Sequence, residues 1–403
     1  MKVYSFVLLC LLIFPSISGC LGSNVDDTEE EEEETGFSWP ENERPECTLS
    51  DEINYQCYGY LIGFTTPVQT LTNPVDGNLW IVDLEGKISS WDSQDLVSIV
   101  DMSDMVSDCH NEQGLLSMAF TDDFVESKKI LLSFVKSGPC ENVSPLIIAE
   151  ATVMDGEIQK DSINTLLQIE QVLRNHNGGY LLPVGGHQYL LGVGDGGGSN
   201  DPESNSQNTS SQLGAMLLFS YSNSTISPVV NNNESDPYIL HHGLRNPWRF
   251  DLHPAGGLLI ADVGQNCYEE LNYIPVFSNS TNFGWSEREG MHYFEAGSEC
   301  DQPVTDSPEN MTDPVLEYDH EEGKCSITGG EWMDWGNEAF RDGYLYGDFC
   351  SGTIWLAKQT VDGWESELIV DTDVFIVGFG RGLNDELLLF SWSGEIFLLE
   401  SQL

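Results

Sequence analysis

Positive charge is scarce in this chain: 15 Lys and Arg stand against 66 Asp and Glu in 403 residues, a formal net charge of −51. Such a surface repels phosphate backbones and anionic headgroups, which argues against nucleic-acid binding. Long apolar runs are also missing, and the stretch from Phe6 to Phe14 is too short to span a bilayer. No Cys-x-x-Cys pair or Cys/His cluster has zinc-ligand spacing, and neither Gly-x-Ser-x-Gly nor His-Glu-x-x-His occurs. Gly192 to Gly197 formally matches Gly-x-Gly-x-x-Gly after an apolar run. The turn formers Gly198-Ser199-Asn200-Asp201-Pro202 follow it, so no helix N-terminus can form under a pyrophosphate. With 39 Gly and 17 Pro, long helices are not expected.

The N-terminus reads as an export signal. Lys2 precedes the apolar stretch, and Ile17-Ser18-Gly19-Cys20 resembles a lipobox, after which Cys20 would carry lipid. The expected location is the outer face of the cytoplasmic membrane, by lipid anchor only, or the medium. Residues 21–45, with six consecutive glutamates from Glu29 to Glu34, read as a disordered acidic tether. Beyond Cys10 and Cys20, eight cysteines remain, an even number that suggests disulfides in an exported chain; Cys47 with Cys57 is one local possibility. Six Asn-x-Ser/Thr sequons, at Asn142, Asn208, Asn223, Asn233, Asn279 and Asn310, suit exposed loops.

Short apolar runs bounded by Gly, Asp and Asn recur at Leu79 to Val82, Ile130 to Val135, Tyr189 to Val193, Leu258 to Ala261 and Leu387 to Phe390. Three longer segments resemble one another, LWIVDLEGKISSW from Leu79, LYGDFCSGTIWLA from Leu345 and LLLFSWSGEIFLL from Leu387. In each a strand runs into a Gly turn, and Ile follows two residues later: Gly86 with Ile88, Gly352 with Ile354, Gly394 with Ile396. Repeated hairpins predict an all-β chain with a six-bladed β-propeller over residues 46–403, at roughly 55 to 60 residues per blade. A pair of β-sandwiches is the alternative.

Four blocks carry the candidate chemistry: Asn111-Glu112-Gln113-Gly114-Leu115-Leu116; His176-Asn177-Gly178-Gly179 with Gly194-Asp195-Gly196-Gly197-Gly198; Gly243 to Phe250; and Asp262-Val263-Gly264-Gln265-Asn266. His176, in a Gly-flanked loop entering a strand, suits proton transfer near neutral pH, and Asp195 would orient it. Arg245 and Arg249 stand out among seven arginines, though structural ion pairs would account for both.

At these blocks, and at Asn282-Phe283-Gly284-Trp285, Ser326 to Gly330 and Gly347 to Gly352, the chain resembles the glucose/sorbosone dehydrogenase family over roughly residues 60–400. That family includes soluble quinoprotein sugar dehydrogenases and the propeller of hedgehog-interacting proteins. The resemblance implies a sugar dehydrogenase using pyrroloquinoline quinone and calcium to oxidise an aldose, a small-molecule substrate, and passing electrons to an acceptor it does not name. By the same resemblance His176 is the base, Asp195 its orienting carboxylate, Arg245 the stabiliser of charge on the quinone oxygens, and Asn246 and Glu112 cofactor contacts. The carbonyls of Gly264 and Gln265 correspond to ligands of the active-site calcium. Glu270 with the carbonyl of Phe283 corresponds to a second calcium site.

Departures are informative. Glu112 stands where quinone-using relatives carry Gln, their late Lys falls near Cys350, and of their late Arg pair only Arg381 is available. These losses are shared by hedgehog-interacting domains, so a non-catalytic propeller binding a glycan or protein is the alternative. The acidity itself suggests a saline habitat.

Overall fold

The computed structural model describes residues 37, 39, 44–230, 235–297, 299–300 and 302–402. The export signal, Cys20, Glu29 to Glu34 and the sequon at Asn233 lie outside the described residues.

Six antiparallel sheets follow one another along the chain, five of four strands and the third of five because Ile239–His242 joins it, and an all-β propeller is what the residues build. Blade 1 begins at Pro67–Thr72, blade 2 at Leu115–Phe120, blade 3 at Leu181–Gly185, blade 4 at Pro247–Leu252, blade 5 at Ile327–Thr328 and blade 6 at Ile376–Arg381. These first strands line the axis, and those of neighbouring blades touch around much of the ring. Blade 6 takes its fourth strand from the other end of the chain: Tyr55–Leu61 pairs with Ile396–Ser401, Tyr55 opposite Ser401. That pairing closes the ring and removes an open sheet edge. Helix is confined, among the described residues, to Phe124–Ser127 and two short 3-10 turns.

The five apolar runs read from sequence are the second strands of blades 1, 2, 3, 4 and 6, buried throughout because they are sandwiched between neighbouring blades. The three similar segments form the second hairpin of blades 1, 5 and 6, with Gly86, Gly352 and Gly394 at φ of 101°, 68° and 100°. Every cysteine from Cys47 onward is paired: Cys47–Cys57, Cys109–Cys140, Cys267–Cys300 and Cys325–Cys350. The five described sequon asparagines are exposed.

One boundary needs correction. Phe37, Trp39 and Arg44 fall in the segment read as tether, yet Phe37 packs on Trp91 at 5.5 Å and Arg44 lies over Tyr58 at 3.9 Å. The packed domain accordingly takes in these three residues. Aromatic side chains gain by burial even next to a charge run, and Gly59 leaves room for Trp39, which would crowd a Cβ there at 2.9 Å.

Candidate active site

A recurrent device sets the ends of the first strands. Asp83, Asp262 and Asp348 each close the second strand of a blade and turn a buried carboxylate onto backbone N–H groups that lead into the first. Asp83 accepts from Thr65 and Thr66, Asp262 from Arg245 and Asn246, Asp348 from Cys325 and Ser326, all at 2.7–2.9 Å. Burial pushes Asp83 up, and pushes Asp262 up to about 7 against the pull of those N–H groups.

Blade 3 uses the carboxylate after its second strand differently. Asp195, 1% exposed, sits 2.7 Å through Oδ1 from Nδ1 of His176, and accepts from Gly197 N–H at 2.9 Å and from Trp285 Nε1–H at 2.9 Å. With Nδ1 committed to the carboxylate, Nε2 of His176 is the nitrogen left for a ligand. Glycines permit this approach: a Cβ on Gly194 would stand 2.0 Å from the His176 carbonyl, and one on Gly178 would stand 2.6 Å from that of Gly192. His176 itself has φ of 57°, a left-handed backbone costing roughly 1–2 kcal/mol. Glu112 helps hold it there, accepting the His176 backbone N–H at 2.5 Å.

His176 opens onto a cavity of about 750 Å³ at the end of the channel where the first strands begin, lined also by Glu112, Arg245, Asn246, Gly264 and Gln265. Trp248, Phe349, Phe375 and Trp392 give it flat apolar walls. Asp195 N–H donates to the Arg245 carbonyl at 2.8 Å, tying the His176–Asp195 pair to the neighbouring blade. Arg245 Nη1 donates to the carbonyls of Val263 and Gly264 at 3.1 and 2.7 Å, while its buried Nε has no partner. Asn246 Oδ1 accepts from Gly178 N–H at 3.2 Å, leaving its Nδ2 for a ligand. The 264–267 turn is fixed by carboxylates: Glu269 accepts from Gly264 N–H, and Glu289 from the N–H groups of Gln265, Asn266 and Cys267. Burial disfavours charge on His320, but Glu269 at 2.6 Å outweighs it and holds the imidazole above its ordinary range.

The structure therefore gathers His176, Asp195, Arg245, Asn246, Glu112, Gly264 and Gln265 at one mouth. Glu270 and Phe283 lie outside the cavity lining. Glu270 is buried, accepts from Asn272 and Gly290, and is pushed well up by burial first and Asp262 second; Phe283 packs on His241. Two expectations from the departures are settled by position. Arg381, the one late arginine, lines the opposite mouth and pairs there with Asp385, because it ends the first strand of blade 6 rather than beginning it. Cys350 is disulfide-bonded to Cys325. Sequence reasoning passed over Trp285 as a partner of Asp195, since a residue 90 positions away carries no local signal. It also passed over the Asp shared by two of the similar segments, Asp83 and Asp348, which the repeat did contain.

Residues 64–346 match the family model described as Glucose / Sorbosone dehydrogenase. The HIPL2 protein of Arabidopsis thaliana is 29% identical over 354 residues, covering 70% of this chain and 49% of that protein, so the chain spans about half that relative's length. Among solved structures, the PQQ-bound aldose sugar dehydrogenase of Streptomyces coelicolor superposes with a TM-score of 0.66 at 17% identity, covering 86% and 98% of the two chains. The apo soluble aldose sugar dehydrogenase of Escherichia coli gives 0.69 at 15%, covering 86% and 100%.

Proposed function

This chain belongs to the glucose/sorbosone dehydrogenase family, and from that premise we propose that it is an exported oxidoreductase that oxidises an aldose at its anomeric carbon. The observation that carries the reading is the buried His176–Asp195–Trp285 chain of hydrogen bonds behind a cavity that also holds Arg245. Nε2 of His176 takes the proton of the anomeric hydroxyl; Asp195 fixes the tautomer and stabilises the imidazolium that forms. Arg245 offers its unpartnered Nε–H to negative charge developing beside it.

The residues present fit a planar, anionic redox cofactor at this mouth. The orphaned Arg245 Nε, the free Asn246 Nδ2 and the aromatic walls suit pyrroloquinoline quinone, with Glu112 at the edge. The carbonyls of Gly264 and Gln265 suit calcium, which accepts carbonyl oxygens readily. Glu270 with the Phe283 carbonyl would serve a second calcium. When bound, the quinone with its calcium would supply the hydride acceptor. Titrating the protein with pyrroloquinoline quinone in calcium and in chelator, then adding aldoses, tests the reading. Calcium-dependent binding followed by sugar-driven bleaching of the cofactor is expected.

A second reading has its own support: Arg245 is the sole Lys or Arg lining this cavity among the described residues, and a tricarboxylate would be thinly neutralised there. The site would then bind a glycan or a protein without turnover. No uptake at micromolar quinone, with saturable glycan binding abolished by Trp392→Ala, would favour it.

A further inference from the structure

The central channel has a second mouth, where the first strands end. A cavity of about 310 Å³ there is lined by Arg249, Glu331, Arg381, Tyr180, Trp335 and Phe379, among others. Arg249 is 5% exposed and flanked by the rings of Tyr180 and Trp248, 4.4 and 4.8 Å from its guanidinium carbon. It belongs to none of the ion pairs of the described residues; the arginine pairs are Arg288 with Asp313 and Arg381 with Asp385. Its Nη2 donates to the Val68 carbonyl at 2.5 Å, and Nη1 makes a long contact of 3.5 Å to that of Trp248. A guanidinium has five N–H donors in a rigid fork, so the remainder of the fork is unspent. A buried cation left without an anion is costly.

The packing fixes this arrangement. A Cβ on Gly329 would stand 2.9 Å from Cβ of Arg249 and 2.8 Å from the Tyr344 hydroxyl, so the glycine lets the blade 5 chain close over the arginine. Trp248, whose Nε1 donates to the Val377 carbonyl at 2.8 Å, lines the upper cavity while Arg249 lines the lower, so the pair partitions the channel.

We propose that this second mouth is a binding site for a small monovalent anion, a halide or a short carboxylate, held by the free N–H donors of Arg249 between aromatic walls. The other charged groups leave that role open. Arg381 at the rim is held by Asp385. Asp251 turns its carboxylate to the N–H groups of Trp332 and Leu252. Burial, then Asp251, push Glu331 up to about 8 against the pull of Arg381 and Arg249, which disfavours its charged form beside Arg249. Burial lowers Arg249 only to about 10, so it stays charged, and burial raises the Tyr180 and Tyr344 hydroxyls, which stay neutral. The site does not depend on the oxidoreductase reading, because it lies at the other end of the channel.

Bromide is the probe. Crystals soaked in sodium bromide are expected to show an anomalous peak within ~3.5 Å of an Arg249 nitrogen. In solution, bromide line-broadening at constant ionic strength, balanced with sodium sulfate, should report a saturable site. Formate that displaces bromide at lower concentration assigns a carboxylate occupant; formate that does not assigns a halide. Binding should weaken at least about tenfold from pH 7 to pH 9.5 as Glu331 gains charge beside the anion. Glu331→Gln should lose only about threefold or less over that range, the part left by Arg249 as it nears its own lowered value of about 10. Arg249→Met should abolish binding, and should that variant not fold, Glu331→Gln still decides. No bromide at Arg249 in the crystal, or an unchanged pH dependence in Glu331→Gln, overturns the proposal.

Discussion

Three donors converge on the Asp195 carboxylate, from His176, Gly197 and Trp285, and that convergence fixes which nitrogen of His176 faces the cavity. In the proposed reaction His176 is the base, so removing it should leave folding intact and chemistry lost. His176→Ala is expected to lower quinone-dependent turnover by roughly 10²–10⁴ while cofactor binding persists, measured by stopped-flow bleaching beside an equilibrium titration. Trp285 acts through Asp195, so it is a positioning residue. Trp285→Phe keeps the ring and deletes the N–H, costing about 1–3 kcal/mol because a charged acceptor loses its donor. The His176–Asp195 pair then loses its fixed orientation, so kcat should fall with KM little changed. A loss confined to the melting temperature would make Trp285 merely structural.

At the scale of elements, the blade ends are built by carboxylates and glycines acting together. Asp262 and Asp348 hold the entrances of blades 4 and 5, whereas the carboxylate after the second strand of blade 3 is given to His176. The loops meet so closely that a methyl group is excluded. Gly194→Ala should destabilise by about 2–4 kcal/mol, since its Cβ would meet the backbone carbonyl of His176 at 2.0 Å and the turn must move; the urea midpoint measures this. Ring closure is equally local in cause. A chain begun at residue 46 keeps Tyr55–Leu61 and should melt cooperatively. One begun at residue 62 exposes the edge of Ile396–Ser401 and should aggregate, as light scattering during the melt would reveal.

At the scale of the whole molecule, 66 acidic against 15 basic residues make self-repulsion the dominant long-range force. Screening acts over about 10 Å at 0.1 M salt, so the melting temperature should rise as sodium chloride goes from 0.05 to 2 M; a level or falling curve would refute this. Protons act in the same direction. Glu331, pushed up to about 8, and Asp251, pushed up to about 6, bind a proton more tightly folded than unfolded. Stability therefore declines as pH rises from about 4.5 through 8, because the folded state must release protons that the unfolded state has already lost. Glu331→Gln should flatten the upper part of that decline, read as melting temperature between pH 6 and 9.

The sequence by itself determined the blades. Strand period, Gly turns and the similar segments are local, so Leu79–Asp83 and Leu387–Ser391 were legible before any contact was known. It also carried the pairing of His176 with Asp195, because the two lie 19 residues apart on loops whose glycines are themselves visible. Only the tertiary structure decided what depends on which end of the channel a residue reaches. Arg245 and Arg381 both lie near blade ends in the sequence, yet one precedes a first strand and the other ends one, so they face opposite mouths. Trp285 reaches Asp195, and Tyr55–Leu61 finds Ile396–Ser401, only once six blades close into a ring. Closure is a property of the whole chain, and no window of sequence contains it.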